Sequence, residues 1–405
     1  MIKTAILGFG NVGKGVARVL DSNRDEIARK VPGGLELGYI LDIRDFPDSP
    51  FADKVTHDYE DILNDPDVRV ICETMGGKEP AFTFSKRALE KGISVCTSNK
   101  ELVEARGCEL LAIAKEHGCS YLFEASVGGG IPLIAPLLNC LEQERITSII
   151  GILNGTTNYI LTKMDRFGED YASILKEAQE LGYAERNPEA DVEGHDTGRK
   201  ISILSSLVSG KTIRFADTYT EGITKISPAD FTYAENHHYS IKLLGVSRRS
   251  EDESYNVHTA PYLVPEGHPL HAVSDVFNGV FIHGNMVDNL MFYGRGAGTL
   301  PTGSAVVADM VQAALHCGST IEIRWDPEVV SPTPHEQVVN TFFVRVPASG
   351  EDAARKAFEG RIAEEWTLEA VPDEFAFITS PMTEGDFARD AEGLELLSRI
   401  RVLQG

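Results

Sequence analysis

Residues 2–20, IKTAILGFGNVGKGVARVL, decide the fold. Ile2 to Leu7 is a short apolar run of strand character. Gly8-Phe9-Gly10-Asn11-Val12-Gly13 is a G-x-G-x-x-G turn, and Lys14 to about Leu20 has the spacing of a helix. Between a strand and a helix each glycine has a physical reason. Gly8 allows the tight turn, Gly10 lets a pyrophosphate approach the backbone, Gly13 lets helix pack closely on strand, and the helix N-terminus offers unpaired N–H groups to the phosphates. The segment predicts a dinucleotide site at the first crossover of a doubly wound α/β sheet.

Outward from this turn the pattern repeats. The next strand, Leu35 to Leu41, ends at Asp42, where an acid commonly bonds the ribose 2′-hydroxyl and favours NAD. Arg44, two positions on, argues for the 2′-phosphate of NADP, and the sequence leaves the choice open. The intervening DSNRDEIARKVPGG reads as an exposed insertion or lengthened loop. Strand and helix then alternate through residues 68–73, 80–91, 93–97, 101–117 and 121–124, which specifies a parallel sheet. Thr74, Met75, Gly76, Gly77, Ser98, Asn99 and Lys100 fall at strand C-termini, the edge where such sheets bind ligands.

Composition narrows the class. A chain of 405 residues is too long for one ordinary core and suggests two or three domains. A formal net charge of −23 excludes nucleic acid and anionic membrane surfaces as natural partners, since both require clustered positive charge. The six cysteines include no C-x-x-C pair and no Cys/His grouping at zinc spacing, which fits a reducing compartment. The N-terminus is too briefly apolar for a signal-peptide core, and no run approaches a membrane span. A cytoplasmic protein is expected.

Beyond the sheet, Glu124-Ala125-Ser126-Val127-Gly128-Gly129-Gly130-Ile131-Pro132 is an oxygen-rich loop capable of holding a monovalent cation such as sodium. From geometry alone a structural turn before a helix over 131–141 is the simpler reading. Residues 146–153 form an apolar strand, followed by Asn154-Gly155-Thr156-Thr157-Asn158, a polar turn that caps the next helix or binds a small polar substrate through groups such as Gly155 and Thr156. Helices near 171–181 and 197–208 and strands near 255–263 and 277–283 imply a mixed domain whose antiparallel sheet is a natural dimer surface. A second glycine-rich loop, Gly294 to Gly303 and including Gly298, leads into a helix over 304–316 and returns the chain to the nucleotide site. After the linker SPTPHE, residues 340–403 read as βαββαβ, a small ferredoxin-like domain.

The segment LGYAERNPEADVEGHDTGRK, residues 181–200, ends with Asp196 and Lys200 at i,i+4 spacing, on one helical face. Alone, such a pair reads as a weak surface ion pair. Together with GFGNVG, SNK, EASVGGGIP, NGTTNYIL and GRGAGTLPTGSAVVAD, in that family's order, it makes residues 1–330 closely resemble homoserine dehydrogenase. The resemblance implies reversible NAD(P)H-dependent reduction of L-aspartate 4-semialdehyde to L-homoserine, on the way to threonine, methionine and isoleucine. It implies Lys200 as proton donor with Asp196 as partner, Glu185 and Asp191 as substrate-binding acids, Lys100 near nicotinamide and substrate, and sodium at Glu124, Val127, Gly129 and Ile131. Whether Lys100 or Lys200 delivers the proton stays open.

The implied layout is a Rossmann-type dinucleotide-binding domain over 1–130 completed by 296–325, a central α/β catalytic and dimerisation domain over 131–295, and an ACT-like domain over 335–405. Family members with a regulatory tail carry a D-R-P-G-type ligand turn. Val346-Pro347-Ala348-Ser349-Gly350 stands in its place, which argues against threonine feedback. The competing readings are another NAD(P)-dependent reductase such as an aspartate dehydrogenase, which would lack NGTTNYIL and the acidic segment, and a non-catalytic dinucleotide sensor, which would not need Lys100, Asp196 and Lys200 together.

Overall fold

The structure, a computed structural model, describes residues 1–404 except 182 and 185. By contacts the chain divides into two compact units, one formed by Met1–Glu144, Ser202–Arg214 and Gly294–Val330, the other by Arg145–Ile201, Phe215–Tyr293 and Ser331–Gly405.

The first unit is built on a parallel sheet whose strands lie in the order Val55–Thr56, Leu35–Leu41, Ile2–Leu7, Val68–Glu73, Ser94–Thr97, Tyr121–Leu122. The strand order reverses beside Ile2–Leu7, the position at which doubly wound sheets open a ligand crevice. Ile6, Val70, Cys72 and Cys96 of the sheet and Val16 of the first helix share one apolar core. Val306 and Met310 of helix Thr299–Leu315 complete that core, so the late segment does rejoin the nucleotide-binding sheet. It comes very close: a Cβ on Gly15 would stand 1.9 Å from the Thr299 carbonyl oxygen, and one on Gly303 would stand 2.6 Å from the Gly15 carbonyl carbon. Only glycine permits two helices to meet backbone to backbone in this way.

Most of the expected loop over residues 21–34 is instead helical, with a turn only at its end. Arg24–Lys30 forms a short helix with Asp25 and Glu26 in its first turn and Arg29 and Lys30 in its last, a charge order that suits the helix dipole. It is anchored by Ile27 and followed by buried Val31. One apolar anchor among charges gives no periodic signal, which is why the sequence reads as loop.

The second unit contains a long sheet in the order Asp288–Arg295, Phe277–Gly284, Ile146–Ile152, Tyr239–Arg249, Tyr255–Pro265, Ser398–Val402, Val339–Pro347, Glu374–Thr379, Ile362–Trp366. Strand Tyr239–Arg249, unanticipated in sequence, pairs along its full length with Tyr255–Pro265. Its residues 240–247 are all buried, and burial on both faces erases the alternation that marks a strand. The tail follows the order strand, helix, strand, strand, helix, strand, with a two-residue strand at Met382–Thr383 between the last strand pair and helix. Its helices are shorter than expected, Glu351–Ala357 and Glu384–Asp390. The first stops before Gly360, whose φ is +73°. The tail's last strand pairs in parallel with Tyr255–Pro265, so the sheet is continuous. Arg401, wholly buried on that strand, donates to Glu384 Oε1 at 2.5 Å and to Glu221 Oε2 at 2.7 Å. The buried cation is thereby matched by carboxylates on two other elements.

Candidate active site

The nucleotide turn has the geometry its glycines require. Gly8 adopts φ +92°, and its N–H donates to the Leu41 carbonyl at 2.8 Å. A Cβ on Gly13 would stand 2.1 Å from the Gly8 carbonyl oxygen, whereas nothing lies within 4 Å of the Cβ position on Gly10. The open side of Gly10 is the approach a pyrophosphate needs, beside the start of helix Asn11–Ser22. Thr74 Oγ1 donates to the Gly8 carbonyl at 2.7 Å and braces the turn from the neighbouring strand. Phe9 N–H donates to Asp42 Oδ2 at 2.7 Å, and the Arg44 guanidinium also pairs with Asp42.

Below this edge sits a carboxylate that sequence reasoning passed over. Glu73, fully buried at the end of its strand, accepts from Thr97 Oγ1 and from Met75 N–H, each at 2.7 Å. Burial pushes its carboxyl above the ordinary range. Thr97 Oγ1 in turn accepts from Asn99 N–H, and Asn99 caps the helix Lys100–Glu116 through Leu102 N–H. Ser98 and half-buried Lys100 are thus set at the sheet's carboxyl edge, with Lys100 as the first residue of a helix.

The loop from Glu124 to Ile131 is buried nearly throughout. Gly129 has φ +56°, and a Cβ there would lie 2.3 Å from the Gly296 carbonyl oxygen. The two glycine-rich loops therefore pack against each other, with Gly130 N–H donating to the Arg295 carbonyl at 3.1 Å. The Glu124 carboxylate is already engaged. Oε1 accepts from Leu133 and Ile134 N–H at 2.6 and 2.9 Å, and Oε2 from Ala135 N–H at 2.6 Å. It thereby caps the helix Ile134–Asn139, shorter than the helix over 131–141 expected from sequence. Among the described residues no group of three or more His, Cys, Asp or Glu side chains can hold a metal. With three hydrogen bonds already on the Glu124 carboxylate, the main-chain carbonyls are the larger set of oxygens this loop offers a hard cation.

In the second unit, Asp196 and Lys200 lie on the helix His195–Ser209 and are only 3% and 7% exposed. The weak surface pair suggested by i,i+4 spacing is therefore a buried one. Lys200 Nζ donates to Asp196 Oδ2 and to the Leu153 carbonyl, both at 2.7 Å. Asn154 ties the cluster together: its amide donates to Asp196 Oδ2 at 2.9 Å and to Asp191 Oδ1 at 2.8 Å. Its Oδ1 accepts from Thr157 N–H and Thr157 Oγ1, which caps the helix Gly155–Phe167. Sequence offered Asn154 as a helix cap or as part of a turn for a small polar substrate; nothing local reveals that its amide reaches residues 37 and 42 positions away. Gly155 sits where a Cβ would be 2.9 Å from the Val276 carbonyl oxygen, and Thr156 Oγ1 donates to the Tyr183 carbonyl at 2.7 Å. Glu185 lies outside the described residues.

Asn154→Ala should remove the cap, worth about 1 kcal/mol, and also its hydrogen bonds to buried Asp196 and half-buried Asp191, each worth up to about 1.5–3 kcal/mol. Asn154→Asp keeps the cap but sets a third carboxylate against Asp191 and Asp196. We expect both variants to melt lower and turn over more slowly, with Asn154→Asp the slower enzyme although its helix cap is intact. Thermal melts and steady-state kinetics on the pair test this; faster turnover for Asn154→Asp would refute the bridging role.

A doubly wound sheet with an intact dinucleotide turn, and a buried lysine held by a carboxylate, define a dinucleotide-dependent oxidoreductase. Comparison with known proteins makes this specific. The family profile "Homoserine dehydrogenase" matches residues 132–311, and "Homoserine dehydrogenase, NAD binding domain" matches residues 8–124. Homoserine dehydrogenase of Bacillus subtilis is 40% identical over 314 residues, 76% of this chain and 72% of that protein. The Pseudomonas aeruginosa enzyme is 38% identical over 86% of this chain and 82% of its own length. The crystal structure of a homoserine dehydrogenase from Thiobacillus denitrificans superposes with a TM-score of 0.89 at 32% identity, covering 100% of this chain and 98% of that one. The chain belongs to the homoserine dehydrogenase family.

Proposed function

We propose that Lys200 is the proton donor in the reversible, NAD(P)H-dependent reduction of L-aspartate 4-semialdehyde to L-homoserine. The reaction itself is that of the family, a step in threonine, methionine and isoleucine biosynthesis. The observation that carries the site assignment is the burial of Lys200 Nζ between Asp196 Oδ2 and the Leu153 carbonyl.

The dinucleotide, when bound, supplies the hydride. The remaining work belongs to side chains. Reduction of an aldehyde develops negative charge on its oxygen, and a fixed ammonium both stabilises that charge and delivers a proton. Asp196 holds Lys200 in place, and Asn154 holds Asp196 in place. Asp191, with Glu185, takes the substrate's α-ammonium, and Gly155 and Thr156 shape the adjoining turn. Lys100 is the second cation assigned to the reacting end. On the nucleotide, Gly8, Phe9, Gly10, Asn11, Val12 and Gly13 hold the pyrophosphate; Asp42 and Arg44 face the adenosine ribose; Thr74, Ser98 and Gly298 complete the crevice.

We assign a sodium ion to the loop at Glu124, Val127, Gly129 and Ile131, held by main-chain carbonyls because the Glu124 carboxylate serves as a helix cap. The sheet of the second unit is the proposed homodimer surface, and the reducing cytoplasm the proposed location. The acidic chain, at −23, keeps nucleic acid and anionic lipid from the list of partners. Among the described residues no helix is long and apolar enough to cross a membrane.

Purified protein given L-homoserine with NAD⁺ or NADP⁺ should produce reduced nicotinamide, followed by absorbance, and should produce none with L-aspartate. Oxidation of aspartate in place of homoserine would establish the aspartate dehydrogenase alternative. Dinucleotide binding without turnover of either would leave a sensor.

A further inference from the structure

The segment that carries Asp191 and Asp196 is held from outside by a second cluster of charges. Val192 to Gly194 joins the short helix Glu189–Val192 to the helix His195–Ser209, so its path sets where both acids stand. Ile223 N–H donates to the Val192 carbonyl at 2.8 Å. Gly222 lies closer still: a Cβ there would stand 2.2 Å from the Val192 carbonyl oxygen and 2.5 Å from Glu193 Cα. A Cβ on Gly194, whose φ is +82°, would stand 3.3 Å from the Glu221 carbonyl oxygen. Backbone packs on backbone here, so residues 192–194 and 221–223 must move together.

Residues 221–223 are fixed by the Glu221 side chain. Its Oε2 accepts from the Tyr219 hydroxyl at 2.9 Å, from Arg401 Nη1 at 2.7 Å and from Arg399 Nη2. Both arginines lie on Ser398–Val402, the last strand of the chain. Burial opposes the charge of this carboxyl, but the Arg401 and Arg399 guanidiniums outweigh it and hold the carboxyl below its ordinary range. Arg401 is anchored in turn by Glu384, through Nε to Oε1 and through Nη2 to Oε2 at 2.9 Å. Glu221 N–H donates to the Thr259 carbonyl at 2.8 Å, which ties its backbone to strand Tyr255–Pro265. An ionised acid with three donors on one oxygen, two of them cationic, is a firm support.

We propose that Glu221 is a positioning residue: clamped by Arg399 and Arg401, it sets Asp191 to receive the α-ammonium of homoserine. The C-terminal strand is then a working part of the substrate site. Glu221 acts through the backbone of residues 192–194 and not on substrate. The bond it supports is made to the α-ammonium, away from the carbon that exchanges hydride, so it is formed alike before and during the reaction. Misplacing it raises KM and leaves kcat largely intact. The inference rests on the assignment of Asp191 as a substrate-binding acid made above.

Steady-state kinetics on the full-length protein, with homoserine and dinucleotide varied in turn, decide it. Glu221→Gln should fold, because Arg401 keeps both oxygens of Glu384. It should raise the homoserine KM roughly fivefold to thirtyfold, while kcat and the dinucleotide KM change less than about twofold. Arg399→Gln, at a side chain 24% exposed, should act in the same direction by less, and it carries the test if Glu221→Gln does not fold. Arg399→Lys should restore most of the affinity. The double variant Glu221→Gln/Arg399→Gln should be no worse than Glu221→Gln, since both changes open one clamp. A merely structural role would lower the melting temperature and leave the KM of the folded protein unchanged, or raise both KM values together; either result overturns the proposal, as does additivity in the double variant. Amide exchange reads the same clamp without turnover: residues 189–198 should exchange faster in Glu221→Gln than in wild type, and equal protection overturns the proposal. Asp191→Asn separates the two levels. If it raises the homoserine KM and Glu221→Gln does not, the substrate assignment stands and this inference falls; if Asp191→Asn leaves that KM unchanged, both fall.

Discussion

Lys200→Ala will cost about two to four orders of magnitude in turnover, the usual worth of a positioned general acid, while the affinity for the reduced dinucleotide stays near wild type. The reasoning is geometric. Lys200 and Asp196 are buried, the ammonium is fixed by two acceptors at 2.7 Å, and both lie on one face of one helix. Burying a charged pair costs several kcal/mol in desolvation unless the geometry is good, and folding stability alone would be served as well by apolar residues. A pair kept in spite of that cost is best explained by the proton it holds. Lys200→Arg is the informative companion. It preserves a cation for Asp196 but offers a group too basic to release its proton, so it should fold better than Lys200→Ala and still turn over poorly. Single-turnover kinetics and nucleotide titration on both variants give the answer. Near-normal turnover for Lys200→Ala would move the proton to Lys100.

The second large effect is expected at the nucleotide turn. Gly13→Val should weaken dinucleotide binding more than about a hundredfold, which corresponds to roughly 3 kcal/mol, the upper end of ordinary overpacking costs. A Cβ on Gly13 would come within 2.1 Å of the Gly8 carbonyl oxygen and 3.1 Å of Thr74 Oγ1. The nearer atom belongs to the backbone of the turn, so no rotamer change relieves the contact. The helix must lift or Gly8 must leave its φ of +92°, and either displaces the N–H groups aimed at the phosphates. Gly10→Ala is the control, since nothing lies within 4 Å of its Cβ position. It should leave stability unchanged and weaken binding only through the space it takes from the pyrophosphate. Thermal melts read the first effect and calorimetry the second; equal stability losses in the two variants would refute the distinction.

The parts of this molecule that were legible in sequence are those set by neighbours along the chain. The strand, glycine turn and helix at residues 2–22 follow from apolar spacing and from the need for glycine, and the repeated strand–helix units follow from the same periodicities. The return of residues 299–315 to the nucleotide-binding sheet was announced by small residues, whose use became visible only as the backbone contact between Gly15 and Thr299. Where local signals were diluted the reading failed. Arg24–Lys30 buries a single isoleucine among charges, and Tyr239–Arg249 is buried on both faces.

By itself the sequence determined that there is a dinucleotide fold and, through i,i+4 spacing, that Asp196 and Lys200 share a helical face. It could not determine that they are buried, because burial depends on what other segments place over them. Tertiary structure alone decided that Asn154 bridges Asp191 and Asp196, that Glu124 spends its carboxylate on a helix start, and that Asp42 is paired with Arg44. The physical reason is common to all three. Hydrogen-bonding capacity is finite, and whether a polar side chain is available to a ligand depends on which donors and acceptors the fold has already brought to it.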